Sequence, residues 1–287
     1  MTSSGRVRLD WSRCGWRGSI LGLPGIRFRR VESGRYTNSW VWSAVSVQVQ
    51  YNFAVPKFHQ RERRDLVVVD EGWSRLPEHW CCAFRQAWAA YVASTIPVGA
   101  VVVDPHGVIV AEARNRIFDY DPPRGQIAGS WLAHAELNAI AQIDAERSRT
   151  GEGWAVYSTF EPCTLCAGAI TVAFRGRITV GYACRDPISS GLRVLTDTDI
   201  GRRRQWQVQK LRGPFAVFAE LLLAVYTVEA RPTSLTAARY RDPPWRPLIE
   251  TAGVVLARGR DRGEAVEQVV ATIWAAIEQI ETASDVL

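Results

Sequence analysis

The stretch TFEPCTLCAGA, residues 159–169, places two cysteines three positions apart, directly behind a proline and ahead of a run of small apolar residues. An apolar segment typical of a buried strand, WAVYSTF at 154–160, comes just before it. Pro162 therefore closes a strand-to-helix loop, and Cys163 and Cys166 lie one turn apart on the same face of the following helix. The positive end of that helix favours thiolates, the form that binds metals. Taken alone, the pair is as consistent with a metal site as with the two alternatives together, a redox dithiol or two small core residues.

A second motif, AHAEL at 133–137, stands upstream of the cysteines, with His134 near the start of the preceding predicted helix. The alternation of strands and helices places both helix N-termini at one edge of a pair of parallel strands. One imidazole nitrogen and two sulfurs would then converge, leaving one position of a tetrahedral zinc site for water, as in catalytic sites. A histidine of this kind without the cysteines would more commonly be a hydrogen-bonded core residue.

Glu136 follows the histidine by two residues. Side chains two residues apart leave a helix about 200° apart, so His134 and Glu136 can serve one centre only in the first turn. We therefore expect the imidazole on the metal and the carboxylate beside it, with Glu136 as general acid and base and not as a ligand. An isolated helix glutamate would simply be exposed, and the combination of motifs is what favours a catalytic role.

Residues 71–230 alternate between patterns typical of helices and of strands, which predicts an α/β domain with layered helices and crossover connections. The predicted helices are 77–94, 131–146, 163–174 and 214–228. The predicted strands are a hairpin over 98–116 with its turn at Pro105-His106-Gly107, then 154–160, 178–184 and a fifth at 205–211.

The N-terminal segment carries the excess positive charge of the chain. Residues 1–66 hold twelve basic and four acidic side chains, whereas the remaining residues hold 23 and 25. A basic arm that binds nucleic acid and a poorly ordered extension are the two interpretations, and we favour an extension over residues 1–70. One segment within it, AVSVQVQYNF at 44–53, alternates apolar and polar residues as a half-buried strand does.

Residues 231–287 begin with a segment rich in proline and arginine and end in a predicted helix. Asp261 and Glu264 resemble a helix-capping arrangement, and an apolar stripe runs from Val266 to Ile280. The stripe is two heptads long, which favours a helix packed on the main domain over a coiled-coil partner. We therefore expect a C-terminal helical extension.

Cysteine spacing and hydropathy exclude two other classes of protein. Cys81 and Cys82 are adjacent and the chain has 287 residues, so the six cysteines do not resemble a secreted disulfide framework. The longest apolar stretch, FAVFAELLLAVYTV at 215–228, carries Glu220 and is too short to span a bilayer. These features predict a cytoplasmic protein that does not bind membranes.

The composite of His-x-Glu and Glu-Pro-Cys-x-x-Cys resembles the signature of zinc-dependent nucleobase deaminases. The chain is similar, over roughly residues 75–228, to the cytidine-deaminase-like superfamily, and within it to the branch of tRNA adenosine, guanine and nucleoside deaminases. This resemblance implies a three-layer α-β-α sandwich. It also implies zinc bound by His134, Cys163 and Cys166, with Glu136 moving protons.

The same resemblance implies the residues that contact substrate. Asn115 matches an asparagine that contacts substrate in that family, and Val98 lies in the strand IPVGAVVVD that lines the pocket. The backbone N–H of Ala135 is expected to contact a ring carbonyl or nitrogen. The segment at 116–133 is longer and more aromatic than its counterpart in the tRNA enzymes. Its aromatic residues are candidates for stacking on a base or are ordinary loop anchors: Phe118, Tyr120 and Trp131.

Hydrolytic deamination of a nucleobase or nucleoside, with release of ammonia, is the function that the resemblance implies, and we favour a purine. Residues 67–287 carry a small net negative charge, and we expect the long segment before His134 and the tail after residue 228 to cover the pocket. Both features favour a small-molecule substrate over tRNA. A tRNA-specific adenosine deaminase and a non-catalytic zinc-binding module are the alternatives. By the same resemblance the expected assembly is a homodimer.

Overall fold

A five-stranded sheet forms the centre of the structure, with strand order β2-β1-β3-β4-β5. Strand β1 is antiparallel to both of its neighbours, whereas β3, β4 and β5 are parallel. The predicted hairpin and the three later predicted strands are all confirmed. The strands are β1 Gly99–Val103, β2 Ile109–Arg114, β3 Trp154–Phe160, β4 Arg177–Cys184 and β5 Gln205–Lys210.

The computed structural model describes residues 72–149, 152–186, 188–195, 198–243 and 245–284. The predicted N-terminal extension, 1–70, and the strand predicted at 44–53 lie outside these residues. The described part contains a short 3-10 turn, Trp73–Arg75, and ten α-helices. They are α1 Glu78–Val92, α2 Ala135–Ile140, α3 Ala145–Arg149, α4 Thr164–Ala173, α5 Gly191–Leu195, α6 Asp199–Arg203, α7 Pro214–Ala230, α8 Leu235–Ala238, α9 Trp245–Arg262 and α10 Val266–Ser284.

Two apolar clusters, one on each face of the sheet, produce a three-layer α-β-α sandwich, as predicted. Side chains of β1 alternate between them, with Val101 in the cluster beneath α1 and α7 and Val102 in the cluster beneath α2 and α4. This alternation follows from the period of two in a strand, because β1 is covered on both faces. The first cluster includes Trp80, Phe84, Phe215, Phe218 and Leu222, and the second includes Ala135, Ala139, Ala167, Ile170 and Val180.

The order of the strands brings two helix N-termini to one edge of the sheet. Because β1 is antiparallel to both β2 and β3, the latter two run in the same direction. Helix α2 follows β2 and helix α4 follows β3, so both helices begin at the edge where these strands end. The expected common edge is therefore confirmed, with the difference that β1 lies between the two parallel strands.

The helix predicted over 131–146 is interrupted, and this prediction was wrong in its extent. Helix α2 begins only at Ala135 and ends at Ile140, and a new helix begins at Ala145. Asp144 lies at the break, where its Oδ1 accepts hydrogen bonds from the backbone N–H groups of Glu146 (2.8 Å) and Arg147 (3.2 Å). An aspartate that bonds nearby backbone N–H groups starts a new helix and competes with continuation of the old one.

The predicted C-terminal helix is present as α10, but the segment before it contains a helix that the sequence analysis did not predict. Helix α9 spans Trp245–Arg262 and includes Asp261 in its last turn, so Asp261 does not cap α10. The side chain of Gln268 instead accepts a hydrogen bond from the backbone N–H of Ala265 (3.2 Å) at the start of α10. Four arginines and four prolines at 231–247 obscured the apolar periodicity that follows them.

Helices α9 and α10 pack against α7 and α1, on the side of the sheet opposite α2 and α4. Leu248, Leu256, Val269 and Ile273 join the same apolar cluster as the side chains of α1 and α7. The C-terminal extension therefore thickens one layer of the sandwich. Of the helices that the structure describes, none combines the length and the apolar character needed to cross a bilayer.

Gly99, the first residue of β1, marks the closest approach between helix α1 and the sheet. A Cβ atom at this position would lie 2.1 Å from the backbone oxygen of Ala83 and 2.5 Å from the backbone nitrogen of Ala87. Contacts this short with backbone atoms cannot be relieved by rotating a side chain. The first helix can therefore pack on the sheet only because residue 99 has no side chain.

We expect Gly99→Ala to lower the free energy of unfolding by about 3 kcal/mol, because the added methyl group forces α1 away from β1. Gly253→Ala is the matched control, since a Cβ there meets only Val225 at 3.8 Å. That change within α9 should raise stability by about 0.5 to 1 kcal/mol, the difference in helix propensity. Denaturant unfolding of both variants measures the effect. If Gly99→Ala were as stable as Gly253→Ala, the packing described for α1 would be contradicted.

Candidate active site

The sequence-predicted metal ligands lie at the common edge of the sheet. His134 directly precedes α2 and Cys163 directly precedes α4, and both have extended backbone conformations, with ψ of 154° and 174°. Cys166 lies within the first turn of α4 and is buried. Because His134 is outside the helix, its direction is not tied to the helical spacing of Glu136. His134 and Glu136 can therefore serve one centre at the start of α2, although side chains two residues apart within a helix would point about 200° apart.

The three ligand atoms are separated by distances that fit a zinc ion. His134 Nδ1 lies 3.6 Å from Cys163 Sγ and 3.3 Å from Cys166 Sγ, and the two sulfurs are 3.6 Å apart. Two sulfurs at about 2.3 Å and a nitrogen at about 2.0 Å from a tetrahedral zinc ion lie roughly 3.5 to 3.8 Å from one another. Within the described part of the chain, these residues form the only group of three or more His, Cys, Asp and Glu side chains arranged to hold a metal.

The ionisation of the cysteines suits a cation. The hydrogen bond between the sulfurs of Cys163 and Cys166, together with the His134 imidazole, lowers the pKa of Cys163 to about 4 despite burial. The pKa of Cys166 is raised, because its proton is shared with Cys163 and because the side chain is buried. At neutral pH the pair therefore holds a thiolate and one shared proton. A divalent cation can replace that proton and bind both sulfurs.

Glu136 lies beside the ligand atoms and is only 4 % exposed. Its Oε1 accepts a hydrogen bond from Ser158 Oγ (3.0 Å), and its Oε2 lies 3.4 Å from Cys166 Sγ. Burial raises the pKa of the carboxyl group. A raised pKa lies closer to neutral pH, and a carboxyl group with such a pKa can both accept and return a proton.

Ser158 is a residue of the site that the sequence analysis did not single out. It lies in β3, is fully buried and orients the Glu136 carboxylate. The next residue, Thr159, accepts a hydrogen bond from the backbone N–H of Gly99 (3.1 Å). Ser158 could have been found from the sequence, because it and Thr159 are two adjacent polar residues in an otherwise apolar buried strand, and buried hydroxyl groups require a hydrogen-bond partner.

Asn115 and Val98 lie together near this site. The backbone N–H of Asn115 donates to the Val98 carbonyl (2.9 Å), and the N–H of the next residue, Arg116, donates to the carbonyl of Ala133 (2.8 Å). The Asn115 side chain is buried, and its Oδ1 accepts hydrogen bonds from Thr95 Oγ1 (2.9 Å) and from the backbone N–H of Ile117 (3.1 Å). Since a backbone N–H can only donate, the amide orientation is fixed, and the NH2 group is the part of Asn115 that remains to donate.

The aromatic residues before His134 lie at the surface. Phe118 and Trp131 are exposed and pack edge to face, with ring centres 6.0 Å apart. The guanidinium group of Arg231, at the end of α7, lies 5.4 Å from the first ring centre and 5.3 Å from the second. Tyr120 is almost fully exposed. We refer to Phe118, Trp131 and Arg231 as the aromatic cluster.

The expectation that the tail after residue 228 covers the site was wrong for most of the tail. Helices α9 and α10 lie on the other side of the sheet from α2 and α4. The physical reason is that their apolar stripes are buried against α7 and α1. Arg231, in contrast, contacts Trp131, three residues before His134.

Comparison with known proteins shows the family to which the chain belongs. A family model described as the cytidine and deoxycytidylate deaminase zinc-binding region matches residues 76–182. A tRNA-specific adenosine deaminase of Agrobacterium fabrum is 32% identical over 116 residues, which cover 39% of this chain and 69% of that protein. The chain therefore belongs to the cytidine-deaminase-like superfamily of zinc-binding hydrolases, which act on C–N bonds of nucleobases and nucleosides.

The particular relatives within this superfamily are of several kinds. A tRNA-specific adenosine deaminase of Aquifex aeolicus is 26% identical, over 48% of this chain and 87% of that protein. A cytosine deaminase of Candida albicans is 23% identical, over 34% of this chain and 61% of that protein. Among solved structures, one from a study of A-to-I editing by tRNA:A34 deaminases has a TM-score of 0.37 at 28% identity, covering 47% of this chain and 91% of that one. Guanine deaminase from Nitrosomonas europaea has a TM-score of 0.38 at 21% identity, covering 53% and 85%.

We expect Cys163→Ala and Cys166→Ala to lose bound zinc and activity, because each removes one of three ligands, whereas Glu136→Ala should keep about one zinc per chain and lose turnover. Metal analysis of the purified proteins and an activity assay measure the two effects separately.

Cys82→Ala is the control for loss of a thiol. Cys82 is half-buried on α1 and bonds to Glu78 of the same helix, and α1 lies on the side of the sheet opposite α2 and α4. The Cys82→Ala protein should retain zinc. Loss of zinc from Glu136→Ala, or full zinc content in Cys163→Ala, would contradict these roles.

Proposed function

We propose that the chain catalyses zinc-dependent hydrolytic deamination of a nucleobase or nucleoside and releases ammonia. The observation that carries this proposal is the convergence of His134 Nδ1 and the sulfurs of Cys163 and Cys166, all within 3.6 Å, beside the buried carboxylate of Glu136. Three ligands leave one position of a tetrahedral ion for water, and a buried carboxylate beside it supplies the acid and base that hydrolysis requires.

Zinc bound by these residues would act as a Lewis acid that lowers the pKa of water toward neutrality. Glu136 accepts a proton from the attacking water and passes it to the ring nitrogen. It then accepts the remaining proton of the added hydroxyl group and delivers it to the amino group, which leaves as ammonia as the C–N bond breaks and the C=O bond forms. Ser158 holds one oxygen of this carboxylate in place and leaves Oε2, on the side of Cys166, for proton transfer. Burial favours the protonated state of Glu136, so this carboxylate accepts the proton of the attacking water more readily than an exposed carboxylate would.

Two donors orient the base in this proposal. The NH2 group of Asn115 is held in one orientation by the bonds from Thr95 and Ile117 to its oxygen, so it recognises an acceptor on the substrate. The N–H of Ala135, the first residue of α2, has no partner within its own helix and can donate to a ring carbonyl or nitrogen. Val98 contributes an apolar wall next to Asn115.

A free base or nucleoside, and preferably a purine, is the substrate that we propose. The charge of residues 67–287 supports a small substrate, because their 23 basic and 25 acidic side chains do not form the basic excess that binds phosphates. Asn115 does not decide between purine and pyrimidine, since both offer ring acceptors.

A tRNA-specific adenosine deaminase is the second candidate, and two observations favour it. Several relatives are tRNA-specific adenosine deaminases. The rings of Trp131 and Tyr120 are exposed, and α9 and α10 leave the side of the sheet that carries α2 and α4 uncovered. Exposed aromatic rings are typical of surfaces on which unpaired bases stack.

A screen of the full-length zinc-loaded chain decides between these substrates. We expect ammonia release from a free purine base or nucleoside, with rates that change little between 50 and 200 mM salt, because few phosphate contacts are involved. Glu136→Ala is the control and should release none. Inosine formation in tRNA that falls steeply with salt, with no turnover of any base or nucleoside, would reject the small-molecule substrate in favour of the second candidate.

We further propose that the chain forms a homodimer through α4. Leu165 and Val172, two turns apart on this helix, are both exposed, and Val172 is 75 % exposed. At Gly168 between them, no atom beyond its chain neighbours and the backbone of its own helix lies within 4 Å of the position of a Cβ, so this face of the helix is open. An exposed apolar stripe of this kind is suited to burial against a second copy.

Val172→Asp should shift the chain from dimer to monomer, because a carboxylate would be buried in the interface without a partner. Val254→Asp, on α9 and at 69 % exposure, is the matched control and should leave the assembly unchanged. Analytical ultracentrifugation of the three proteins measures the change. A monomeric parent chain, or a dimer that survives Val172→Asp, would remove this face from consideration.

A further inference from the structure

Glu161 is a buried acid directly before the Pro-Cys-x-x-Cys motif, and the mechanism above does not use it. Its side chain is 4 % exposed. Both carboxylate oxygens bond to the segment that follows β4: Oε2 accepts from the backbone N–H of Asp186 (3.0 Å), and Oε1 accepts from Ser190 Oγ. The backbone N–H of Glu161 donates to the carbonyl of Cys184 (2.8 Å). The carboxylate therefore bonds to the next loop and not to the metal ligands.

Asp186 orders the same loop from within. Its carboxylate is buried, and its Oδ1 accepts hydrogen bonds from the backbone N–H groups of Ile188 and Ser189, both at 2.9 Å. The Ser189 hydroxyl donates to its other oxygen. These bonds give partners to backbone N–H groups that would otherwise be unpaired or would need water as a partner. Glu161 and Asp186 together define the conformation of this loop.

The ordered loop in turn holds the backbone on both sides of Cys163. The N–H of Thr164 donates to the Ser189 carbonyl (3.1 Å), and the N–H of Gly191 donates to the Pro162 carbonyl (3.0 Å). Cys163 and Ser190 form an isolated antiparallel bridge.

The approach of the loop to this cysteine is close. A Cβ on Gly191 would lie 2.3 Å from the backbone oxygen of Cys163. The loop therefore leaves little room for the Cys163 backbone to move.

We infer that Glu161 is a positioning residue for zinc, acting through the loop of Asp186, Ser189, Ser190 and Gly191 to hold Cys163 in the extended conformation that brings its Sγ to Cys166 and His134. Cys163 is the N-cap of α4: its carbonyl accepts the first helical bond, from the N–H of Ala167 (2.9 Å), but its own backbone is extended and lies outside the helix. Cys166, in contrast, is held by α4. Of the two cysteines, Cys163 therefore depends on an external support, and Glu161 supplies it.

The variants Glu161→Leu and Glu161→Gln distinguish the effect of the hydrogen bonds that the Glu161 side chain makes from the effect of the volume that it occupies. Leucine keeps a side chain of similar size but leaves the buried N–H of Asp186 without a partner. Glutamine keeps both bonds, because its oxygen can accept from Asp186 while its NH2 group donates to Ser190, whose hydroxyl can also accept. The inference requires that glutamine rescues what leucine disrupts.

Asp104→Leu is the matched control for loss of a buried acid that organises a turn. Asp104 is 6 % exposed, and its Oδ1 accepts from the backbone N–H groups of His106 (2.9 Å) and Val108 (3.0 Å). It follows β1, whose end pairs with the start of β3, whereas Cys163 follows the end of β3. The control therefore lies at the opposite edge of the sheet.

The experiment measures release of zinc from the full-length zinc-loaded proteins to a chromogenic chelator, well below their unfolding temperatures. We expect Glu161→Leu to release zinc at least about tenfold faster than the parent chain, the usual effect of removing an outer-shell partner. Glu161→Gln and Asp104→Leu should remain within about twofold of the parent chain. In the cobalt-substituted proteins, Glu161→Leu should show weaker thiolate-to-cobalt absorption, and Asp104→Leu should not.

Parent-like zinc release from Glu161→Leu, equally fast release from Asp104→Leu, or failure of glutamine to rescue would each overturn the inference. If Glu161→Leu does not fold, Gly191→Ala tests the same support, because its methyl group would displace the Cys163 carbonyl, and a parent-like rate would again overturn it. The inference rests on the zinc site of the proposed function but not on the substrate. Zinc release is measured without substrate, so an inactive protein with the expected rates would reject the function alone.

Discussion

The position of β1 between β2 and β3 is the constraint on which the site depends. Being antiparallel to both neighbours, β1 makes β2 and β3 parallel, so that the helices that follow them begin at one edge of the sheet. The first residues of those helices can then contribute ligands to one ion. Small side chains at Ala135, Ala139 and Ala167 let α2 and α4 lie close to the sheet and to each other. A different strand order would separate His134 from the cysteines even with the same motifs.

Buried polar groups are concentrated at this edge and have different hydrogen-bond partners. Glu136 is held by Ser158 and lies against Cys166, whereas Glu161 bonds to a neighbouring loop. Burying a carboxylate costs free energy unless hydrogen bonds compensate for lost hydration, and each of these groups has such bonds. Two glutamates with almost equal burial thus have different partners: the oxygens of Glu136 lie against Ser158 and Cys166, and those of Glu161 bond to Asp186 and Ser190 of the loop.

The C-terminal extension explains why α7 is apolar on most of its surface. One side of α7 packs on the sheet, and α9 and α10 cover another side, so that Phe215, Leu221 and Val225 are all buried. The indole N–H of Trp88 on α1 donates to the Glu264 carbonyl (2.9 Å) and links the extension to the first helix. Helices covered on two sides lose the polar face that identifies an amphipathic surface helix.

The sequence by itself determined the features that depend on local spacing. Short apolar runs bounded by turns and helical patterns predicted the five strands, and the spacing of Cys163 and Cys166 predicted two sulfurs on one helix face. Local periodicity could not reveal the break at Asp144, because a side chain that bonds the backbone interrupts a helix whose apolar pattern continues. The helix at 245–262 was missed for a related reason, since its apolar stripe is diluted by charged residues and gains stability only from burial against α7.

The tertiary structure alone decided which distant groups meet. That Ser158 orients Glu136, that Ile117 fixes the Asn115 amide, and that Arg231 reaches Trp131 depend on how strands and helices pack. The same packing placed the C-terminal helices away from α2 and α4. Sequence spacing describes the direction of each side chain within its own element, whereas contacts between elements follow from strand order and from which apolar faces are buried together.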